Sequence, residues 1–247
     1  MAWTRSYRWS GVLLMVLLLS LLPQVSDAKI YLVSVGVSDY PGTRNDLRLP
    51  HNDAATMEWL YKENKQTRTW LLRNANATLA SVKSALREMA SVAKADDIVV
   101  LFFSGHGVRG GFVCYDDFLF YQDVYAILAT CKSRSKMIFA DACYAGAMRQ
   151  GRQGAQADAD VRGANVMLFL SCRGNERSLE RRGMTNGVFT YALQHGLRGG
   201  ADVNGDRVIT ARELFDYVSE KVQKKTNNRQ HPVMWGKFPD NMPVMRW

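Results

Sequence analysis

Four continuous stretches of apolar residues constrain the fold of this chain most. They span Lys29–Val37, Asp97–Phe103, Lys136–Ala140 and Val166–Ser171. A strand with one face in water alternates apolar and polar residues, whereas a strand covered on both faces does not. These stretches therefore predict buried strands of a parallel sheet with helices packed on both sides.

Segments with helical patterns separate the apolar stretches. The predicted helices are His51–Glu63, Thr78–Val92, Val188–Leu197 and Ala211–Lys224. Thr78 is the expected N-cap of the second helix, and Asn52 or Asp53 that of the first. Two further strands are predicted at Thr69–Leu72 and His231–Trp235, the latter at an edge. The expected fold class is α/β, a three-layer sandwich with a mostly parallel six-stranded sheet.

Composition excludes several classes of protein. With 247 residues, 47% hydrophobic content and only 4 Cys, the chain is neither disordered, nor fibrous, nor a disulfide-dependent miniprotein. The formal net charge is +9, from 32 Lys and Arg against 23 Asp and Glu. These charges are scattered along the chain, so they favour solubility and acidic surfaces. We expect no nucleic-acid partner.

The N-terminus has the pattern of a secretory signal peptide. Arg5 and Arg8 precede the apolar run Val12–Leu22, Pro23 ends it, and small residues follow at Ser26–Ala28. We therefore expect residues 1–28 to be a signal peptide and residues 29–247 to form one domain, which is exported to the periplasm or secreted. No stable membrane span is expected, because the apolar run is short; the alternative is an uncleaved N-terminal anchor.

Export permits disulfides, and the sequence leaves any pairing open. The cysteines are Cys114, Cys131, Cys143 and Cys172.

A histidine and a cysteine follow the ends of two successive buried strands. His106 lies in Ser104–Gly107, and Cys143 lies in Asp141–Gly146. The carboxyl ends of parallel strands share one edge of the sheet, where sites form. There the imidazole can take the thiol proton, and the N–H groups of Gly107 and Cys143 can stabilise an oxyanion. Taken singly, the Cys could be a small buried apolar residue and the His a structural one.

These segments resemble the catalytic motifs of a known family. FFSGHG (Phe102–Gly107) and DACYAG (Asp141–Gly146) are similar to the two catalytic motifs of metacaspases and bacterial caspase-like cysteine peptidases. Asp141 stands where the caspase signature has Gln. The residues after Cys143 are Tyr144 and Ala145, where metacaspases commonly have His and Ser. That departure affects fine specificity rather than the chemistry.

The resemblance implies roles for individual residues. His106 is the expected base and Cys143 the nucleophile. Asp53, Ser104 and Asp141 match positions that line the pocket for the residue before the scissile bond. Two carboxylates there imply protein or peptide substrates that are cleaved after Arg or Lys. The alternative is structural: Asp53 caps its helix and Asp141 fixes a turn.

A second motif has the spacing of a calcium-binding loop. Its candidate ligands are Asp202, Asn204, Asp206 and Glu213, with Arg207 where such loops carry Gly. The alternative is a helix–turn–helix in which these side chains make turn bonds and cap the second helix. We therefore expect no required cofactor, with calcium as an optional ligand.

The main prediction is a cysteine endopeptidase with a Cys143–His106 dyad that cleaves after Arg or Lys. Two other classes remain open. One is a non-catalytic caspase-like module that binds basic peptides. The other is a calcium-responsive structural protein built around the Asp202–Glu213 loop.

Overall fold

A six-stranded sheet forms the centre of the molecule. The computed structural model describes residues 28–108, 110–142, 164–176 and 178–246. In chain order, the strands are β1 (Ile30–Gly36), β2 (Thr67–Arg73), β3 (Ile98–Gly105), β4 (Gly107–Val108), β5 (Gly111–Val113), β6 (Phe118–Phe120), β7 (Ser135–Ala142), β8 (Val166–Leu170), β9 (Val208–Thr210), β10 (Val233–Gly236) and β11 (Pro243–Arg246). The helices are α1 (Pro50–Lys62), α2 (Leu79–Val92), α3 (Tyr121–Ala129), α4 (Val188–His195) and α5 (Ala211–Thr226).

The sheet order confirms the predicted fold class. The strands run β10-β8-β7-β3-β1-β2 across the sheet. All neighbours are parallel except β10, which is antiparallel to β8 at one edge. All six predicted strands are present, and their ends differ from the expected ones by a few residues.

Both faces of the sheet are buried, as the continuous apolar stretches require. Alternate residues such as Val33 and Leu101 pack with α2 and α3 on one side. The intervening residues, such as Leu32 and Phe102, pack with α1, α4 and α5 on the other. The result is three layers, with one apolar core on each side of the sheet.

The two capping predictions have different outcomes. Thr78 caps α2 as expected, because its hydroxyl accepts a hydrogen bond from the Ser81 N–H. The prediction that Asn52 or Asp53 caps the first helix is wrong. That helix begins at Pro50, whose fixed φ suits the first helical turn, with Leu49 at the N-cap and no side-chain cap. Asp53 therefore lies within the first turn, and its side chain is free to bond elsewhere.

Several elements were not predicted. A small antiparallel sheet of β4, β5 and β6 follows β3 directly, and α3 leads from it to β7. A second small sheet pairs β9 with β11.

The described cysteines Cys114, Cys131 and Cys172 are buried. Among the described helices, none combines the length and the apolar character needed to cross a membrane. The predicted signal peptide lies outside the described residues, apart from Ala28.

Candidate active site

Strands β3 and β7 are neighbours in the centre of the sheet, and their carboxyl ends lie side by side. Their parallel register pairs Ser104 with Asp141 and Gly105 with Ala142. His106 follows Gly105 in the chain, and Cys143 follows Ala142. Cys143, the predicted nucleophile and oxyanion donor, lies outside the described residues, as do Tyr144 and Ala145. The register therefore places the two motifs side by side up to Ala142, the last described residue before Cys143.

The His106 ring is held by the chain segment that follows β1. Its Nε2 lies 2.7 Å from the carbonyl oxygen of Asn45. A carbonyl only accepts hydrogen bonds, so this contact requires a proton on Nε2. In the neutral ring Nδ1 then carries the free lone pair, and Nδ1 is the atom that can take a proton from a thiol.

Tyr40 contacts the same histidine through its hydroxyl and its ring. The Tyr40 hydroxyl accepts a hydrogen bond from the His106 backbone N–H at 2.9 Å and donates to the Val113 carbonyl at 3.3 Å. The two rings lie 4.9 Å apart. A Cβ on Gly105 would stand 2.8 Å from that hydroxyl, so the glycine permits this close approach. Burial raises the pKa of Tyr40, which keeps the hydroxyl neutral and able to donate.

Gly107, the other predicted oxyanion donor, opens β4. It pairs with Phe112, and the Val113 N–H donates to the His106 carbonyl. The small sheet thus fixes the backbone on both sides of the histidine. The oxyanion role of Gly107 stays a prediction.

The Asp53 carboxylate reaches from α1 to the start of α4. One oxygen accepts hydrogen bonds from the Asn186 amide and the Gly187 N–H, both at 3.0 Å. The other accepts from the Ser104 hydroxyl at 2.8 Å. Asp53 is 2% exposed. Its contacts join α1, β3 and α4, so it does not act as a cap of its own helix.

The Asp141 carboxylate, at the end of β7, meets the same end of α4. One oxygen accepts from the Thr190 N–H at 3.1 Å and from the Thr190 hydroxyl at 2.7 Å. The other accepts from the Ser178 hydroxyl. Both aspartates therefore lie at the helix N-terminus, where unpaired N–H groups favour negative charge.

The structure brings three predicted pocket residues together, Asp53, Ser104 and Asp141. An ideal Cβ on Gly187 would stand 2.5 Å from an Asp141 oxygen and 3.4 Å from an Asp53 oxygen. Both carboxylates therefore lie against Gly187, and the absence of a side chain there permits this close approach.

The carboxylate pair has no basic partner within the described part of the chain. No described Lys, Arg or His forms an ion pair with either group. Burial raises the pKa of both carboxyls, and the nearby charge of Asp141 raises the pKa of Asp53 further. Hydrogen bonds from Ser104, Asn186 and Gly187 oppose that rise for Asp53 without cancelling it. Both carboxyls are therefore protonated more readily than an ordinary Asp.

Gln230 fixes the loop that carries Ser178. Its fully buried amide donates to the Ser171 carbonyl at 2.9 Å and to the Ser178 hydroxyl at 3.3 Å. Its oxygen accepts from the Leu179 N–H at 3.1 Å. This one side chain connects the end of β8 to the loop before α4, and so it holds the Ser178 hydroxyl against Asp141.

Comparison with known proteins identifies the family. A family model described as the caspase domain matches residues 31–242. The chain belongs to the caspase-domain family. No protein of curated function matches it.

Two solved structures resemble this caspase domain. Protein GSU0716 from Geobacter sulfurreducens is 18% identical, with a TM-score of 0.67 over 88% of this chain and 97% of that one. Caspase-1 from Spodoptera frugiperda is 14% identical, with a TM-score of 0.61 over 85% of this chain and 87% of that one. At these low sequence identities, the structural similarity supports the fold and nothing finer.

In the candidate calcium loop of this caspase domain, side-chain oxygens accept hydrogen bonds from backbone N–H groups of the same loop. Asp202 accepts from the N–H groups of Gly205 and Arg207, and Asp206 accepts from that of Val208. Arg207 has a φ of 63°, the left-handed conformation that usually requires Gly.

The loop's last candidate ligand, Glu213, bonds the N–H and hydroxyl of Thr210 in a capping box. No group of three or more His, Cys, Asp or Glu side chains in the described ranges is arranged to hold a metal ion. In this conformation the candidate ligand oxygens accept hydrogen bonds within the turn and the cap. Calcium binding therefore stays a prediction, which a calorimetric titration with calcium tests.

Several residues of the caspase-domain site were not predicted from the sequence. They are Tyr40, Asn45, Ser178, Asn186, Thr190 and Gln230. Only Thr190 carried a signal, since it lies in the first turn of the predicted helix Val188–Leu197. The others lie in loops far from the motifs in sequence, and their contacts arise only when strand ends and loops meet.

Proposed function

We propose that this caspase domain is a cysteine endopeptidase in which Cys143 is the nucleophile and His106 the base. One observation carries the proposal: β3 and β7 are parallel neighbours in register up to the residues that precede His106 and Cys143. The Asn45 carbonyl gives His106 the tautomer that a base for a thiol needs.

The reaction follows from these groups. His106 Nδ1 takes the thiol proton, and the Cys143 thiolate attacks the scissile carbonyl carbon. Backbone N–H groups, with those of Gly107 and Cys143 as candidates, stabilise the oxyanion. The C–N bond then breaks as the imidazolium protonates the leaving amine. Water, deprotonated by His106, hydrolyses the thioester and restores the thiol.

The proposed specificity is for Arg or Lys before the scissile bond. Asp53 and Asp141 are buried, both lie against Gly187, and neither has a basic partner among the described residues. A guanidinium or ammonium group supplies that partner, whereas the carboxylate of an Asp substrate adds a third negative charge. Protein or peptide substrates with a basic residue at this position therefore fit best.

Hydrolysis of a fluorogenic peptide that ends in Arg tests the proposal. Cys143→Ala should lower turnover by roughly 10⁴-fold, because the nucleophile is lost. Cys131→Ala is the matched control, since Cys131 lies near the opposite end of β7 and should leave turnover unchanged. Undiminished turnover in Cys143→Ala would refute the dyad. Binding of the peptide with no turnover in the unmodified protein would favour the non-catalytic module.

The cellular location is part of the same proposal. The N-terminal pattern of basic residues, apolar run and small residues supports export after removal of residues 1–28. Mass spectrometry of the protein recovered from outside the cytoplasm should then find Lys29 at the N-terminus. A chain that begins at Met1 and fractionates with membranes would favour the uncleaved anchor.

A further inference from the structure

A basic cavity lies at the end of the sheet opposite the candidate active site. Its volume is about 660 Å³, within the size range of small-molecule sites. The lining residues that matter are Cys131, Lys132, Arg134, Lys136, Lys237 and Phe238. Lys136 is the second residue of β7, and Asp141 lies near the other end of the same strand, about 16 Å away. The cavity is therefore separate from the catalytic edge.

The charge in this cavity has one sign. Four basic side chains line it, and no Asp or Glu is among its described lining residues. Arg134 pairs with Asp96. The nearby Asp97 carboxylate is directed to the backbone N–H groups of Lys29 and Lys94. Like charges that converge in a concave surface repel one another, and an anion in that space relieves the repulsion.

Lys136 is the member that distinguishes this cavity from a solvated basic face. It is 5% exposed, and its ammonium donates to the carbonyls of Leu128 and Cys131 at the end of α3. The negative end of the helix dipole holds the ammonium in place. An ammonium has three donors, and two of them are used in these bonds. Burial lowers the pKa of Lys136, which an anion in the cavity would counter.

The predominance of lysine among the basic lining residues favours phosphate over carboxylate as the bound anion. Three of the four basic groups are Lys, and the single Arg already has Asp96 as its partner. Planar carboxylates are matched best by the two-pronged guanidinium, whereas lysine ammonium groups bind phosphate as point charges. A single phosphate is small relative to the cavity, so a compact anion with several phosphate groups contacts more of the lysines.

We propose that this cavity binds a small polyphosphate anion. Inorganic tripolyphosphate is the probe, and its binding to the full chain is measured by calorimetry and by the shift in Tm. It should bind more tightly than orthophosphate, and added salt should weaken it. The exposed Lys132 and Lys237 carry the test, because Lys136 also supports the fold.

Lys132→Ala with Lys237→Ala should weaken tripolyphosphate binding by roughly tenfold. The matched control is Lys65→Ala with Lys224→Ala, which removes the same charge from exposed positions outside the cavity. The proposal is overturned if tripolyphosphate does not bind, or if both double variants lose affinity equally. It is also overturned if a poly-aspartate peptide binds as tightly and competes, because that identifies an acidic-peptide site.

Discussion

At the scale of single residues, the histidine depends on a tyrosine that the sequence motifs did not point to. Tyr40 joins the backbone N–H of His106 to the Val113 carbonyl through one hydroxyl. The ring of Tyr40 also packs against the imidazole. The hydroxyl therefore positions the proposed base through its backbone N–H.

We predict that Tyr40→Phe lowers kcat about tenfold with little change in KM, because the base is misplaced while the pocket is intact. Unfolding in urea should show a loss of about 1 kcal/mol for the hydrogen bonds. Tyr121→Phe is the control, since the Tyr121 hydroxyl is buried without a hydrogen-bond partner. Equal kinetics for Tyr40→Phe and the unmodified protein would show that the hydroxyl does not position His106.

The paired aspartates predict a pH dependence of substrate binding. Burial raises the pKa of both Asp53 and Asp141, so the pair takes up a proton at a higher pH than an ordinary Asp does. A bound Arg favours the ionised pair, so binding releases a proton and tightens as pH rises. In Cys143→Ala, an Arg peptide should bind up to about tenfold more tightly per pH unit between about pH 5 and 7.

A citrulline peptide is the matched control, because it has the shape of Arg without the charge. Its calorimetric affinity should change little over the same range. Parallel pH profiles for the two peptides would contradict the account of a shared proton.

At the scale of elements, local signals were sufficient where a segment determines its own structure. The buried strands were predicted because a strand covered on both faces is apolar at nearly every position. The Thr78 cap was predicted because a hydroxyl before an apolar helical pattern bonds its own helix. The short strands β4 to β6 escaped prediction because three residues or fewer carry little periodicity, and their pairing depends on contacts with neighbouring segments.

The cap of α2 gives a test at this scale. Thr78→Ala removes the acceptor of the Ser81 N–H and should lower the free energy of unfolding by about 1 kcal/mol. Thr78→Ser keeps the hydroxyl and should restore most of the loss. Urea unfolding measures both, and an Ala variant as stable as the Ser variant would mean that Asp116, which accepts from the Leu79 N–H, caps the helix alone.

At the scale of the whole molecule, the aromatic core under α4 supports the paired carboxylates from a distance. Phe169 lies 5.1 Å from Phe189 and 5.6 Å from Phe215 between ring centres. Phe189 immediately precedes Thr190, which binds Asp141. Packing in this core therefore fixes the helix end that meets the two carboxylates.

Phe169→Ala should lower the free energy of unfolding by about 3–5 kcal/mol, because it leaves a cavity in a fully buried core. Phe118→Ala is the control, since that ring is 44% exposed and its loss should cost far less. Chemical denaturation measures both. Similar losses for the two variants would contradict the assignment of the core.

Local sequence patterns predicted the part of the site that lies on the strands, but not the contacts made by distant loops. The sequence places His106 and Cys143 after buried strands, and adjacency of those strands is the one fold-level fact that brings the motifs together. The side chains that orient the histidine and hold the carboxylates come from distant loops. Asn45 is 61 residues from His106, and Asn186 is 133 residues from Asp53. No local pattern encodes contacts over such separations.

The central claim is that Cys143 and His106 share a proton, and the pH dependence of Cys143 alkylation tests it most directly. Iodoacetamide labelling is followed by mass spectrometry in the unmodified protein and in His106→Ala. The described cysteines are buried, so they serve as internal controls. With a functional dyad, Cys143 reacts rapidly well below the ordinary thiol pKa of about 8.5, and His106→Ala moves that reactivity up toward this value. Identical profiles in both proteins would contradict the claim.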